Sequence, residues 1–456
     1  MAKLFGTDGV RGEAGRFPLD AGTVRTIGRS LAGLLREQAN GAPLIVTGRD
    51  TRESGAWLED ALAEGARSLG ATVRSAGVIT TPGVAYLARV LSAGAGVVIS
   101  ASHNPFQDNG IKIFAPTGRK LDDTLERRIE ADIEREAAES AAPVSSEKNG
   151  EEFDSRQSAE LRERYLNYLS EEVAASLSLE GLSLVVDCAN GAAFELAPAL
   201  FKRLGARVTA INARPDGRNI NLDCGSQHLD GLKLKVTEEG ADLGVAYDGD
   251  ADRALFVNAR GEAVDGDAVM WAMAQVMSER GELKDGCVVA TVMSNIGLEI
   301  ALRSKGLSLK RTDVGDKYVL EELLRTGACL GGEQSGHIIF PRQSLVGDGM
   351  MTTLNLLRAM REKALRLDEL TRGFERYPQV LVNVKVREKR PFDDVERIRE
   401  MALEVSDELG SRGRLLLRYS GTEALARVML EGERQEEIER LAAKLAEVIR
   451  AELGAP

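Results

Sequence analysis

Three times along the chain, a run of consecutive apolar residues gives way to a turn of small residues and then to an amphipathic stretch. LIVTGRDTR (44–52) leads into a helical pattern that ends before Leu69-Gly70-Ala71-Thr72-Val73. LSLVVDCANGA (182–192) leads into FELAPALFKRL and then Gly205-Ala206-Arg207-Val208. GCVVATVMSNIG (286–297) leads into LEIALRSK and then Gly306-Leu307-Ser308-Leu309. A short apolar, β-branched run reads as a buried strand, the amphipathic stretch as a helix, and the glycine as its C-cap. Each copy therefore predicts a strand–helix–strand unit. The copies are spaced too widely and unevenly for a solenoid, and they predict three related α/β domains in tandem.

The intervening segments agree with that division. Residues 137–158 are small and polar after a charged helical stretch, the composition of a linker. NARGE (258–262) is a turn after the strand-like 254–257. Beyond residue 370 the texture changes. VLVNVKV (380–386) reads as a strand, FDDVERIREMALEVSDEL as a helix, GRLLLRYS and LARVMLEG as strands, and 433–453 as a charged amphipathic helix. The expected division is α/β domains over residues 1–150, 151–257 and 258–370, then an α+β domain over 371–456.

Candidate chemistry lies in the polar stretches that follow apolar strands. GVVISASHNPFQDNGIKIF (96–114) predicts a buried strand ending near Ser100, a tight loop containing the turn dipeptides Asn104-Pro105 and Asn109-Gly110, and a return strand from Ile111. Ser102 stands on that loop between small and polar neighbours, where another molecule can approach its hydroxyl. Adjacent side chains usually diverge, so His103 is not expected to act as a simple base for Ser102. Lys112 alternates with Ile111 and Ile113 and is placed to point into a cleft.

In AYDGDADRALF (246–256), Asp248, Asp250 and Asp252 share one side of an extended chain that Gly249 allows to bend. Carboxylates this close repel strongly unless a cation lies among them, and oxygen donors without nearby His or Cys favour Mg2+. An EF-hand-like calcium loop is excluded, because Arg253 and Ala259 occupy the positions that need Gly and Glu. Arg253 is placed to face a phosphate. In LRYSGTEALARVMLEG (417–432), Arg418 and Arg427 flank Ser420, Gly421 and Thr422, whose hydroxyls and amides form a nest suited to a phosphate dianion. In GGEQSGHIIF (331–340), Glu333, Ser335 and His337 alternate, predicting one polar strand face able to grip sugar hydroxyls. A serine nucleophile, a metal site, a hydroxyl grip and a phosphate nest, one in each expected domain, point to phosphoryl transfer on a sugar phosphate in a cleft between domains.

Composition removes other classes. Lys+Arg 59 against Asp+Glu 71 gives a formal charge of −12, which argues against general affinity for nucleic acid or an anionic membrane surface. No apolar run approaches the ~18 residues a membrane helix needs, and MAKLFGTDGVRG lacks an apolar leader pattern, so a cytoplasmic protein is expected. The four cysteines are far apart without a CxxC pair, as reduced core thiols would be. With only three histidines, a site of several imidazole ligands is not available.

The chain resembles the α-D-phosphohexomutases over essentially its whole length. The motifs are FGTDGVRG (5–12), SASHNPFQDNGIKIF (100–114), DGDADR (248–253), TVMSN (291–295), TDVGDKYV (312–319), GGEQSGH (331–337) and RYSGTEALARVMLEG (418–432), in that order. TVMSN and TDVGDKYV tilt toward the glucosamine branch. RYSGTE, with Tyr419 and Ala424 where prolines are common, is also similar to relatives acting on glucose or mannose. The resemblance implies three related α/β domains with mixed sheets and a C-terminal α+β domain around a central cleft.

It further implies that Ser102 carries a phosphoryl group whose phosphate completes a Mg2+ shell with Asp248, Asp250 and Asp252. Arg11, His103 and Lys112 match positions that contact the reacting phosphoryl or assist proton transfer, and Arg253 matches one near the same phosphate. Glu333, Ser335 and His337 match the sugar-binding loop, and Arg418, Ser420, Gly421, Thr422 and Arg427 the distal phosphate loop. The expected reaction interconverts glucosamine 6-phosphate and glucosamine 1-phosphate, with glucosamine 1,6-bisphosphate (or glucose 1,6-bisphosphate) as intermediate or activator. The same chemistry on glucose or mannose phosphates is the alternative. A hexosamine phosphate is the expected partner, without nucleic acid or membrane, and self-association into a homodimer is left open.

Overall fold

The three apolar repeats become the centres of three sheets built on one plan. The computed structural model describes residues 4–6, 8–38, 41–139, 153–420 and 423–455. The first sheet contains β1 (Val10–Glu13), β2 (Leu44–Arg49), β3 (Thr72–Val78), β4 (Ala95–Ile99) and β5 (Asp108–Phe114), in the order β1-β5-β4-β2-β3. The second contains β6 (Ser183–Asp187), β7 (Arg207–Ile211), β8 (Leu243–Tyr247), β9 (Ala254–Asn258) and β10 (Ala263–Val264), in the order β10-β9-β8-β6-β7. The third contains β11 (Cys287–Thr291), β12 (Ser308–Thr312), β13 (Gly331–Gly332) and β14 (Ile338–Ile339), in the order β12-β11-β13-β14.

Without the outer strands β1 and β10, the three sheets share a four-strand unit. The first strand lies between the second and third, parallel to both, and the fourth pairs antiparallel with the third. The fold is thus α/β with mixed sheets, and the repeat legible in the sequence is structural. The unit also fixes where loops can gather. The third-to-fourth connection is a hairpin with no helix, and in the three sheets it carries, in turn, Ser102, the three aspartates and the segment 333–337.

The return strand β5 begins at Asp108, so Asn109-Gly110 lies inside a strand and is not a turn. Asn109 accepts the Gly110 amide on its own Oδ1 at 2.8 Å and donates to Ser54 Oγ at 2.8 Å. A Cβ at position 110 would come within 2.6 Å of the Ser100 carbonyl oxygen, so the glycine serves a close approach of backbones. Of the expected linker, residues 140–152 lie outside the described residues. The helix Ser155–Asn167 that follows packs back on β3, with Ser158 Oγ donating to the Ser75 carbonyl at 2.7 Å. The second sheet continues to Val264.

The C-terminal sheet contains β15 (Gln379–Lys385), β16 (Arg414–Tyr419) and β17 (Leu425–Glu431), antiparallel in the order β15-β17-β16, with the helices Glu396–Leu409 and Gln435–Leu453 packed on it. Its core, including Val384, Ile398, Val428 and Leu441, is separate from the one running through the first three sheets, to which Val98, Leu184, Tyr247 and Trp271 belong. With each fully buried side chain of this size contributing roughly 1.5–3 kcal/mol, the fourth domain is stabilised largely by its own interior. No helix among the described residues is long and apolar enough to cross a membrane.

Candidate active site

At the end of β4 the chain turns through Ser102 in the left-handed region, φ +53, a costly conformation for a residue with a side chain. The Ser102 hydroxyl donates to Asp248 Oδ2 at 2.6 Å and lies 3.2 Å from His103 Nδ1. The expected divergence of Ser102 and His103 therefore does not hold. That expectation assumes extended backbone, and the left-handed turn swings both side chains to the same side. Burial, then Arg253 and Arg11, lower the His103 pKa to about 4, so the ring is neutral near pH 7.

The aspartate loop meets the serine loop directly. A Cβ on Gly249 would lie 2.5 Å from the Ser102 carbonyl oxygen, which explains a glycine here. The carboxylates converge around a tight turn with Ala251 left-handed at φ +55, instead of along one side of an extended chain, and their ligand oxygens lie within 4.8 Å of one another. Burial and the neighbouring Asp252 and Asp250 push Asp248 well above the usual carboxylate range. Burial also raises Asp252, but Lys112, His337 and Arg253 together outweigh it and hold Asp252 well below that range.

Lys112 is sealed beneath these loops at 1% exposure, with Nζ 2.9 Å from Asp250 Oδ2, 3.1 Å from Asp8 Oδ2 and 3.4 Å from Asp252 Oδ2. Thr81 Oγ1 donates to Asp250 Oδ2 at 2.6 Å. The other oxygens, Asp250 Oδ1 and Asp252 Oδ1, are buried without a hydrogen-bond partner among the described residues. Three hard oxygen donors, two with unused lone pairs, fit a divalent cation such as Mg2+.

A cleft of about 420 Å³ opens beside these loops. Arg11 and His103 line it from the first domain, Arg253 from the second, and Asp316, Glu333 and His337 from the third. The segment 333–337 is the hairpin turn between β13 and β14, not a strand face. The Glu333 amide donates to the His337 carbonyl at 2.9 Å, and Gly336 takes φ +91 where a Cβ would lie 2.3 Å from the Ala254 carbonyl oxygen. Ser335 Oγ donates to Glu333 Oε2 at 3.3 Å. The His337 ring is buried, with Nδ1 3.7 Å from Asp252 Oδ2 and Nε2 accepting the Gly347 amide at 3.2 Å. Burial opposes a charge on His337, but Asp252, with Asp316 and Glu333, outweighs it and raises its pKa to about 9. In the neutral ring the Gly347 amide takes the Nε2 lone pair and leaves the single proton on Nδ1, facing Asp252.

The fourth expected element stands apart. Arg418 and Arg427 are cross-strand partners on β16 and β17, and Arg427 Nη2 donates to Ser420 Oγ at 3.4 Å. Burial and the adjacent Arg427 lower the Arg418 pKa, and Arg427 Nε is buried without a partner among the described residues. Two guanidiniums directly opposite one another repel, and an anion between them relieves the repulsion. Neither arginine lines the cleft beside Ser102. Gly421 and Thr422 lie outside the described residues.

Sequence reasoning did not single out Asp8, Thr81, Lys120 or Asp316. Lys120 Nζ bridges Asp8 and Asp316 at 2.8 Å each, tying the first domain to the third beside the cleft. Burial pushes Asp8 up, but Lys112, Lys120 and Arg11 together hold it well below its ordinary value. Asp8 and Asp316 sit inside FGTDGVRG and TDVGDKYV, so motif membership was the available signal. Thr81 and Lys120 sit in no motif, and only their neighbours in space reveal them.

Family models for phosphoglucomutase/phosphomannomutase match the chain in four consecutive pieces. Alpha/beta/alpha domain I matches residues 2–140, domain II 163–261, domain III 265–377 and the C-terminal domain 381–448. The phosphoglucosamine mutase of Solibacter usitatus (strain Ellin6076) is 50% identical over 457 residues, covering 100% of both chains. That of Symbiobacterium thermophilum is 47% identical over 453 residues, covering 99% of this chain and 100% of that one. Among solved structures, a phosphoglucomutase/phosphomannomutase family protein from Burkholderia thailandensis matches with TM-score 0.78 and 25% identity over 99% of both chains. An N-acetylphosphoglucosamine mutase from Aspergillus fumigatus, in complex with GlcNAc-6P and magnesium, shares the fold with TM-score 0.61 at 20% identity, over 98% of this chain and 95% of that one.

Proposed function

This chain belongs to the phosphoglucomutase/phosphomannomutase family, and from that premise we propose that it interconverts glucosamine 6-phosphate and glucosamine 1-phosphate. One observation carries the chemistry: Ser102 Oγ stands 2.6 Å from Asp248, inside a trio of buried carboxylates suited to a cation. Relatives alike over the full length, which are phosphoglucosamine mutases, support the choice of sugar. The setting this reading implies is cytoplasmic.

The phosphoserine form of Ser102 donates its phosphoryl group to the free hydroxyl of the sugar phosphate, giving glucosamine 1,6-bisphosphate and a free Ser102 hydroxyl. The bisphosphate turns over in the cleft, and Ser102 takes back the other phosphoryl group. In that second step a proton leaves Oγ, and Asp248 Oδ2 at 2.6 Å and His103 Nδ1 at 3.2 Å are the acceptors within reach. Arg11 and Arg253 face the reacting phosphate, and Lys112 supplies a fixed positive charge beneath it. Mg2+ held by Asp248, Asp250, Asp252 and the Ser102 phosphate would neutralise charge on the moving phosphoryl group. Glu333, Ser335 and His337 form the sugar-facing turn. Arg418, Ser420, Gly421, Thr422 and Arg427 hold the phosphate that is not reacting, and glucose 1,6-bisphosphate serves as an alternative activator.

Tyr419 and Ala424 in the distal loop favour a second reading, the same mechanism on glucose or mannose phosphates. Steady-state kcat/KM on glucosamine, glucose and mannose 6-phosphates decides between them. The proposal requires glucosamine 6-phosphate to be preferred. Equal or faster turnover of a neutral sugar supports the second reading, and absence of any 6-to-1 conversion contradicts both.

A further inference from the structure

The turn that ends LIVTGRDTR, just after β2, takes no part in the reaction described above, yet it reaches the loop that carries Ser102. Arg52 is 3% exposed, and its Nη2 donates to the carbonyl oxygens of Ser102 at 3.2 Å and Asn104 at 2.6 Å. From the second domain, Asn221 Nδ2 donates to the same two oxygens, at 2.9 and 3.0 Å. Donors from two domains thus converge on one pair of carbonyls, with His103 between them. Each donor is itself held. Asp50 accepts from Arg52 Nη1, and the Asn221 amide donates to the Ala189 carbonyl at 2.9 Å. Neither Arg52 nor Asn221 lines the cleft.

A left-handed serine persists only where its surroundings over-determine it. The four bonds fix the Ser102–His103 and Asn104–Pro105 peptide planes, and with them the direction of Ser102 Oγ toward Asp248. Gly249 admits the same Ser102 carbonyl, which a Cβ at that position would meet at 2.5 Å. We infer that Arg52 and Asn221 are positioning residues for phosphoryl transfer, forming a clamp across the first two domains. The clamp holds the Ser102 turn, and the phosphate it carries, in register with the aspartate loop. This rests on the phosphoserine reading above. Because Asn221 and the aspartates belong to one domain, the clamp makes the serine loop follow the metal loop as a unit.

The test uses the full chain with Arg52→Lys and Asn221→Ala. Lysine keeps the charge opposite Asp50 but lacks the planar fork that places one nitrogen between two carbonyls. Misplacing a reacting group by about 1 Å costs on the order of 10²-fold, so kcat should fall about 10- to 100-fold in each variant. KM for the sugar phosphate should stay within about threefold of the wild-type value, because the cleft lining is untouched. The ³¹P resonance of phosphoserine 102 should shift or broaden, a change that a merely structural role would not produce. Should Arg52→Lys fail to fold in its buried place, Asn221→Ala, on a partly exposed loop, decides alone. A kcat within about threefold of wild type with an unchanged ³¹P line, or a loss seen only in KM, overturns the clamp. Wild-type protein without phosphate on Ser102 would overturn the phosphoserine reading itself. Phosphorylated wild type with unaffected variants would overturn the clamp alone.

Discussion

The Ser102 end of the proposed site and the Arg418–Arg427 end proposed for the idle phosphate differ in what holds them together. At the reacting end, loops from three sheets are tied by backbone hydrogen bonds that cross between them. Thr81 donates to the Asp250 carbonyl at 3.0 Å, Ala254 to Gly336 at 3.1 Å and Gly349 to Ala251 at 3.0 Å. Lys112 and the three aspartates there are buried, and Lys112 is paired with Asp8, Asp250 and Asp252 before any substrate arrives. The distal end is two opposed arginines in a domain with its own core, joined to the rest through polar contacts such as Asn295 Nδ2 to Glu431 Oε1 at 3.2 Å. A developing charge is stabilised best by groups already in position, so chemistry selects the rigid arrangement. Holding an idle phosphate requires only a cationic fork, which the phosphate itself can bring together.

The comparison breaks first at Ser102. Ser102→Ala should lose more than ~10²-fold in turnover while still binding sugar phosphate by calorimetry, since the covalent relay is gone and the distal arginines remain. A variant keeping more than about a tenth of the wild-type rate would remove Ser102 from the relay. Next comes the distal end. Arg427→Ala deletes a charge-assisted bond and should lower kcat/KM about 10- to 150-fold by a similar factor in both directions, with more bisphosphate released into solution. Unchanged bisphosphate release would argue that one distal site does not serve both half-reactions.

Asp250→Asn sharpens the contrast from the metal side. Losing one anionic ligand should weaken apparent Mg2+ affinity by about tenfold or more, read from activity against free Mg2+. Metal dependence matching wild type would exclude Asp250 from the ligand set. The smallest effect concerns His103. Its folded pKa of about 4 lies below the ordinary 6.5, so the unfolded chain takes up this proton first. Stability should therefore fall as pH drops from about 6.5 toward 4, where the native ring stays neutral and the unfolded one charges. Denaturant midpoints across that window should slope less in His103→Gln, and equal slopes would show that the ring is not held neutral.

Much of this was legible in the sequence because it depends on local pattern. The apolar runs that became β2, β6 and β11 announced three copies of one unit, and the spacing of Asp248, Asp250 and Asp252 announced a cluster of carboxylates that could hold a cation. What was not legible depends on three-dimensional closeness. Asn109-Gly110 has the composition of a turn, but Gly110 is there because another backbone passes within reach. The approach of His103 to Ser102 depends on a left-handed φ that no pattern around an ordinary serine signals. His337 reads as a polar strand residue, whereas its ring is buried against Asp252. Lys120 and Thr81 gain their meaning only from partners more than a hundred residues away.

The central claim is that Ser102 carries the phosphoryl group between the two half-reactions. Intact-mass analysis with site mapping after incubation with glucose 1,6-bisphosphate and Mg2+ tests it most directly. The account predicts a single phosphoryl group, stable to acid, located on Ser102 and absent from Ser102→Ala. A phosphoryl group on Asp248 or Asp250, or none retained while the sugar phosphate is hydrolysed, would contradict it and make the aspartate loop the nucleophile of a phosphatase.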